Sequence, residues 1–178
     1  MLSKPSLVSR RSLAICRRFL GAGRLACGAG VGQIQVTPTS RSMILYRPTG
    51  LAELQLVAET GWAAWPARLP DQPIFYPVLT LDYARKIARD WNASDSFSGY
   101  IGFVTRFAIT EQAAARYPVQ VAGGRSHGEL WIPAEELTDF NTQIVGKIVV
   151  VESYPGPKFR GMVDPETHLP TTFADPHG

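Results

Sequence analysis

Between Ser126 and Pro133 the chain reads Ser-His-Gly-Glu-Leu-Trp-Ile-Pro. Written as a strand, successive side chains point to opposite faces, so His127, Glu129 and Trp131 share one face while Leu130 and Ile132 share the other. The second face reads as core. The first gathers an imidazole, a carboxylate and the largest aromatic side chain within five residues. A carboxylate between a histidine and a tryptophan makes a poor solvated surface and a good pocket lining. Such a carboxylate could stabilise a developing positive charge or serve as a base. The simpler alternative is an exposed strand carboxylate. His127 is a candidate proton carrier or a structural hydrogen-bonder, and Trp131 is a ligand platform or a core aromatic.

Several elements must position this stretch. Met43 to Pro48 reads as a first strand closed by its proline. An amphipathic helix follows, with Leu51, Leu54, Val57 and Ala58 on one stripe and Gly61 as its stop. Residues 62–73 form a loop with three prolines and two tryptophans, leading to a short strand at Ile74-Phe75-Tyr76 that Pro77 closes. Thr80 is a good N-cap for a second helix carrying Leu81, Ala84, Ile87, Ala88 and Trp91 at helical spacing. Tyr100 to Ile109 alternates as a strand with Ile101, Phe103, Thr105, Phe107 and Ile109 inward. A helical turn at 111–116, an edge strand at 117–121 and a Gly123-Gly124 turn then deliver the chain to Ser126. A short helix through Leu137 and Phe140 and a β-branched strand at 144–151 close the pattern. The order is strand, helix, strand, helix, then mostly strands, which defines an α+β class rather than alternating βα units.

Charge is unevenly placed. Residues 1–42 hold seven lysines and arginines and no acid, leaving eleven basic against fifteen acidic residues in 43–178. The basic character therefore belongs to the leader, and a mildly acidic body gives no reason to expect nucleic acid as its partner. Both cysteines, Cys16 and Cys27, also lie in the leader, so the body has no disulfide framework and no cysteine metal site. A cysteine-free body suits a cytoplasmic setting. Two of the three histidines fall in the Pro-rich tail, so no metal site is expected. No membrane span appears.

Residues 1–42 read as a disordered leader, with Met43 as a candidate natural start. A half-match to a twin-arginine signal at 9–13 and the acid-free Arg/Ser composition leave export and organelle transit open. The formal G-x-G-x-x-A at 21–26 lacks a preceding strand, a following helix and a suitably spaced acid, so it is no dinucleotide fingerprint. Residues 155–178, with five prolines, are expected to be disordered.

Four segments together resemble a family of small bacterial proteins labelled ADP-ribosylation/crystallin-like. They are Tyr46–Gly50, Leu69–Leu79, Ile87–Asn92 and Glu129–Leu137. The resemblance covers residues 43–154 and extends more distantly to the ADP-ribosyltransferase fold. It implies mixed or antiparallel sheets with two or three short helices, and it implies NAD as a substrate cleaved for transfer to an unknown acceptor. Glu129 would stabilise the ribosyl cation, with His127 two residues before it helping to choose the acceptor. Arg47, Thr49, Tyr76 and Trp131 would bind the dinucleotide, Arg47 orienting it and Tyr76 stacking on nicotinamide. Phe75-Tyr76-Pro77 departs from the serine-threonine-serine common at that point, which argues against an arginine-modifying type. Arg68 and Arg106 are alternative phosphate partners. The alternatives are a non-catalytic nucleotide- or protein-binding module on the same scaffold, or a small structural protein whose aromatic surface makes a dimer.

Overall fold

A computed structural model describes residues 41–122 and 127–173. The leader and its targeting alternatives, and the Gly123-Gly124 turn, lie outside the described residues. The body is a mixed α+β arrangement with small, wholly antiparallel sheets. Strand β1 spans Ser42–Thr49, β2 Ile74–Phe75, β3 Ile101–Thr110, β4 Val119–Val121, β5 Gly128–Leu130, β6 Ile132–Pro133 and β7 Ile144–Pro155. Helices α1 (Leu51–Glu59) and α2 (Leu81–Asp90) follow β1 and β2, while α3 (Glu111–Ala114) and α4 (Leu137–Asn141) are the short helical turns expected at 111–116 and through Leu137 and Phe140. Among the described residues no helix is long and apolar enough to cross a membrane.

The main sheet has the order β1-β3-β7. Pro48 does not close β1: it pairs with Val104, and Thr49 continues the ladder to Phe103. On the other side of β1, among the described residues, only Tyr46 is paired. Its N–H donates to the Val78 carbonyl at 2.9 Å and its carbonyl accepts from the Val78 N–H at 2.7 Å. Val78 in turn bridges to Glu129, flanked by bonds from the Leu130 N–H to the Pro77 carbonyl (3.0 Å) and from the Leu79 N–H to the Gly128 carbonyl (2.9 Å). One residue thus stitches the main sheet to the β4–β5 pair. The next hydrogen-bonded pair along this seam would join residues 48 and 76, and Pro48 has no N–H to give. Among the described residues the pairing stops there.

Two apolar clusters cover the two faces of the sheet. On one, Leu54 and Val57 of α1 pack with Leu45, Phe103, Phe107, Ile109, Leu130 and Ile132. Trp65, Phe75, Phe107 and Phe140 interlock there with ring centroids 5.2–6.2 Å apart, in the tilted and edge-on arrangements that aromatic quadrupoles favour. On the other face Tyr83, Ala84 and Ala88 of α2 pack on Val78 and Val104. Thr80 caps α2 as expected, its hydroxyl accepting from the Tyr83 N–H at 3.4 Å. The buried stripe differs from expectation: Tyr83 is inside and Trp91 is exposed, because α2 ends at Asp90 before Trp91 can turn inward. α2 approaches so closely that a Cβ at Gly102 would stand 2.1 Å from the Ala88 carbonyl oxygen.

The tail expected to be disordered is ordered through residue 173. β7 runs to Pro155, the Gly156 N–H donates to the Tyr100 carbonyl at 2.8 Å, and Val163 bridges Pro170. Leu169 joins the first apolar cluster. The physical reason is burial: four apolar side chains, Phe159, Val163, Leu169 and Phe173, find cover on that cluster despite the prolines. Replacing Leu169 by alanine is expected to lower stability by about 2–3 kcal/mol. An unchanged denaturation midpoint would show that this segment contributes nothing.

Candidate functional site

Glu129 sits on β5 with the residue only 7% exposed. Its Oε1 accepts from the Tyr83 hydroxyl at 2.8 Å and its Oε2 accepts from the Trp131 indole N–H at 2.9 Å. Both donors are neutral. Among the described residues no cationic side chain reaches ion-pairing distance of Glu129. A buried carboxylate is ordinarily matched by a cation, because desolvating it uncompensated costs several kcal/mol. Here one negative group is held in place by two hydrogen bonds and left unmatched. Burial first, and then the hydrogen bond to Glu129, push the Tyr83 hydroxyl well above the usual phenol range, so Tyr83 keeps its proton and remains a donor.

His127 stacks on Tyr83, with centroids 4.2 Å apart and planes 9° from parallel. Its Nδ1 lies 3.1 Å from the Ala122 carbonyl oxygen. A carbonyl only accepts, so Nδ1 is the donor and Nε2 is left to accept or take up a proton. Ile74–Pro133, Phe75–Ile132 and Val78–Glu129 share one antiparallel register, which sets Tyr76 opposite Trp131 where the pairing is interrupted. Both rings are exposed, at 36% and 47%. The face foreseen for His127, Glu129 and Trp131 is therefore the one they share, with the aromatics half open to solvent rather than in the core.

Arg47 and Thr49 are elsewhere. Tyr46, Val78 and Glu129 are paired across the seam and so point to one face, and Arg47, next to Tyr46, points to the other. Contacts agree with the geometry. The Arg47 Nε and Nη2 donate to the two carboxylate oxygens of Glu53 on α1 at 2.9 and 3.1 Å. The Thr49 hydroxyl donates to Glu53 Oε2 at 3.1 Å, and Arg68 Nη1 donates to Glu53 Oε1 at 3.1 Å. The Arg47 guanidinium lies 4.6 Å from the Phe75 ring centre and 5.5 Å from that of Tyr76. Its Nη1 donates to the Tyr76 carbonyl at 3.4 Å, the acceptor that Pro48 cannot serve. A single cleft between Arg47, Tyr76 and Glu129 is thus not what the chain builds. Arg47 and Thr49 belong to a fixed ion cluster, not to the carboxylate of β5.

Sequence inspection overlooks Glu53 and Tyr83. Glu53 stands four residues after Thr49 and six after Arg47, a spacing that lets α1 fold back on the end of β1. Tyr83 stands three residues after the cap Thr80, one helical turn from the seam. Comparison with protein-family models, curated proteins and solved structures gives no match. Among the described residues no cluster of three or more His, Cys, Asp or Glu side chains could hold a metal ion.

Burial pushes the Glu53 carboxyl upward, but the charges of Arg47 and Arg68 and the hydrogen bonds from Arg47 and Thr49 outweigh it, so the group titrates below its ordinary value of 4.5. A value lowered in the folded state adds stability that is fully present above the ordinary value and is lost as pH falls through the folded-state value. Glu53→Gln should cost about 3 kcal/mol near neutrality, the lower end for a buried pair because Glu53 keeps some exposure. That gap to wild type should hold from neutral pH down to the ordinary value of 4.5 and then narrow in stronger acid. Denaturation curves showing a constant gap through the acid range would refute this account of the cluster.

Proposed function

We propose that this chain is an ADP-ribosyltransferase-like domain that binds NAD, with the cationic nicotinamide end at Glu129. One observation carries the reading: among the described residues Glu129 is a buried carboxylate whose partners are both neutral donors, one of them the exposed Trp131. A flat cation suits such a site doubly. It matches the carboxylate and it lies favourably on the face of Trp131. The order of elements also supports the likeness. An arginine-bearing strand is followed by a helix, an aromatic strand by a helix with Ala84 and Ala88, and a later strand brings Glu129.

In the chemistry this allows, the bond between nicotinamide nitrogen and ribose carbon breaks, and its electron pair leaves with nicotinamide. Glu129 stabilises the positive charge that builds on the ribose, and Tyr83 and Trp131 hold the carboxylate in position. The acceptor atom forms the new bond to the ribose carbon and loses its proton, for which His127 Nε2 is the available base. Arg47 takes no part in gripping the dinucleotide, since Glu53 and the Tyr76 carbonyl occupy its guanidinium. A second reading, binding without cleavage, is favoured by the same observation about Arg47: a transferase deprived of its orienting arginine would retain affinity and lose turnover.

The test uses calorimetric titration with NAD and with its reduced form, whose nicotinamide ring is uncharged. Wild type should prefer the oxidised form by about tenfold or more, and Glu129→Gln should abolish the preference while leaving the fold intact by circular dichroism. Equal affinity of wild type for both forms would sink the assignment of Glu129. Release of nicotinamide separates transferase from binding module.

A further inference from the structure

A cleft of about 420 Å³ opens where the ordered tail meets the start of α1 and the turn before β3. Leu51 and Phe159 join its lining to the first apolar cluster, and Tyr100, Met162, Pro170 and Thr171 stand around them. The backbone fixes this shape. Tyr100 has φ +61°, in the left-handed region that side chains other than glycine seldom occupy. It is held there from both sides, its N–H donating to the Asp95 carbonyl at 2.9 Å and its carbonyl accepting from the Gly156 N–H at 2.8 Å. The Thr171 N–H donates to the Met162 carbonyl at 3.1 Å and folds the tail back on itself. A Cβ at Gly161 would stand 2.5 Å from the Phe159 ring, so that ring lies against bare backbone.

The charge of this cleft has one sign. Lys158 and Arg160 line it, and no aspartate or glutamate does, although acidic residues outnumber basic ones in the body by fifteen to eleven. Among the described residues neither cation lies within ion-pairing distance of a carboxylate. The Lys158 ammonium instead stands 5.3 Å from the Tyr100 ring centre, so the fixed ring steers it over the cleft. An exposed cation alone asks for nothing but water. Two of them on an apolar recess that lacks any acid are complementary to a ligand with an anionic head and an apolar body. The apolar lining is mostly recessed, since Met162, at 73%, is its one strongly exposed large side chain. A recess favours a small enclosed ligand over a flat surface, and the volume falls within the roughly 300–1,000 Å³ of ordinary ligand sites.

We propose that this cleft binds a small amphiphilic carboxylate, its apolar chain or ring against Leu51, Phe159 and Met162 and its carboxylate on Lys158 and Arg160. The guanidinium offers the planar fork that matches a carboxylate, and the ammonium adds a second charge. A neutral apolar molecule would fill the recess and leave both cations unmatched, while a cationic one would be repelled. The site shares no residue with that of Glu129, so the proposal stands or falls apart from the NAD reading.

The experiment titrates the full chain by calorimetry with octanoate and with octanol, which share a chain and differ in the charge of the head. Wild type should bind octanoate at millimolar concentration and prefer it to octanol, and added salt should shrink that preference because the cations are exposed. Lys158→Gln and Arg160→Gln should each weaken octanoate binding by about two- to fivefold and leave octanol binding unchanged. Met162→Glu, which sets a carboxylate in the lining, should weaken octanoate more than octanol. All three positions are exposed, so these variants should keep the fold by circular dichroism. No binding of octanoate by wild type, equal affinity for octanoate and octanol, or unchanged octanoate affinity when both cations are replaced overturns the proposal. Sedimentation with phosphatidylglycerol vesicles but not with phosphatidylcholine ones, in the absence of octanoate binding, would assign the patch to a membrane surface and overturn it equally.

Discussion

The sheet of this protein passes through one residue. Val78 pairs with Tyr46 on one side and with Glu129 on the other, and the backbone pairing described between the main sheet and the β4–β5 pair runs through that junction. Pro48 limits the junction to a single pairing by removing the donor that the next rung requires. Side-chain alternation across the intact rung sends Arg47 and Glu129 to opposite faces, and where the next rung is missing the Arg47 guanidinium donates to the Tyr76 carbonyl.

On either side of that seam stands a charge cluster that does not sum to zero. On the α1 side two arginines hold one glutamate; on the α2 side one glutamate is held by a phenol and an indole. Joining them directly would have balanced both, and the alternation of β1 prevents it. Stability alone would favour replacing such groups by apolar ones, since buried charges seldom improve on a packed core. Glu53 has a clear structural use, because it ties α1 to the end of β1 through Arg47 and Thr49. Glu129 has none of comparable weight: Leu130 and Ile132 already anchor its strand in the core. That contrast is the physical ground for assigning ligand binding to Glu129 rather than to Arg47.

Much of the fold is legible in residue types. The alternation at 127–132 gives the correct faces, the inward set of β3 is buried although Gly102 and Val104 of its other face are buried as well, and Thr80 caps α2 where a cap residue should stand. These are local signals, written within one or two turns or rungs. The partners of the charged residues are not local. Nothing near Arg47 says that Glu53 rather than Glu129 will meet it, since the answer depends on which face β1 turns toward α1. The tail shows the same limit from the other direction. Its prolines forbid regular structure, and a lack of regular structure is easily equated with disorder, yet Leu169 is buried because the cluster beneath it has apolar area left to cover. Trp91 errs by one residue only, at a helix end, where boundaries are set by caps rather than by periodicity.

Tyr76 stands where the pairing of the sheet is interrupted. Its carbonyl accepts from Arg47, its ring lies 5.5 Å from the same guanidinium, and the strand register sets its backbone opposite Trp131. Phe75, its neighbour, is buried under Arg47 while Tyr76 is exposed, so the pair straddles the sheet at the point where pairing fails.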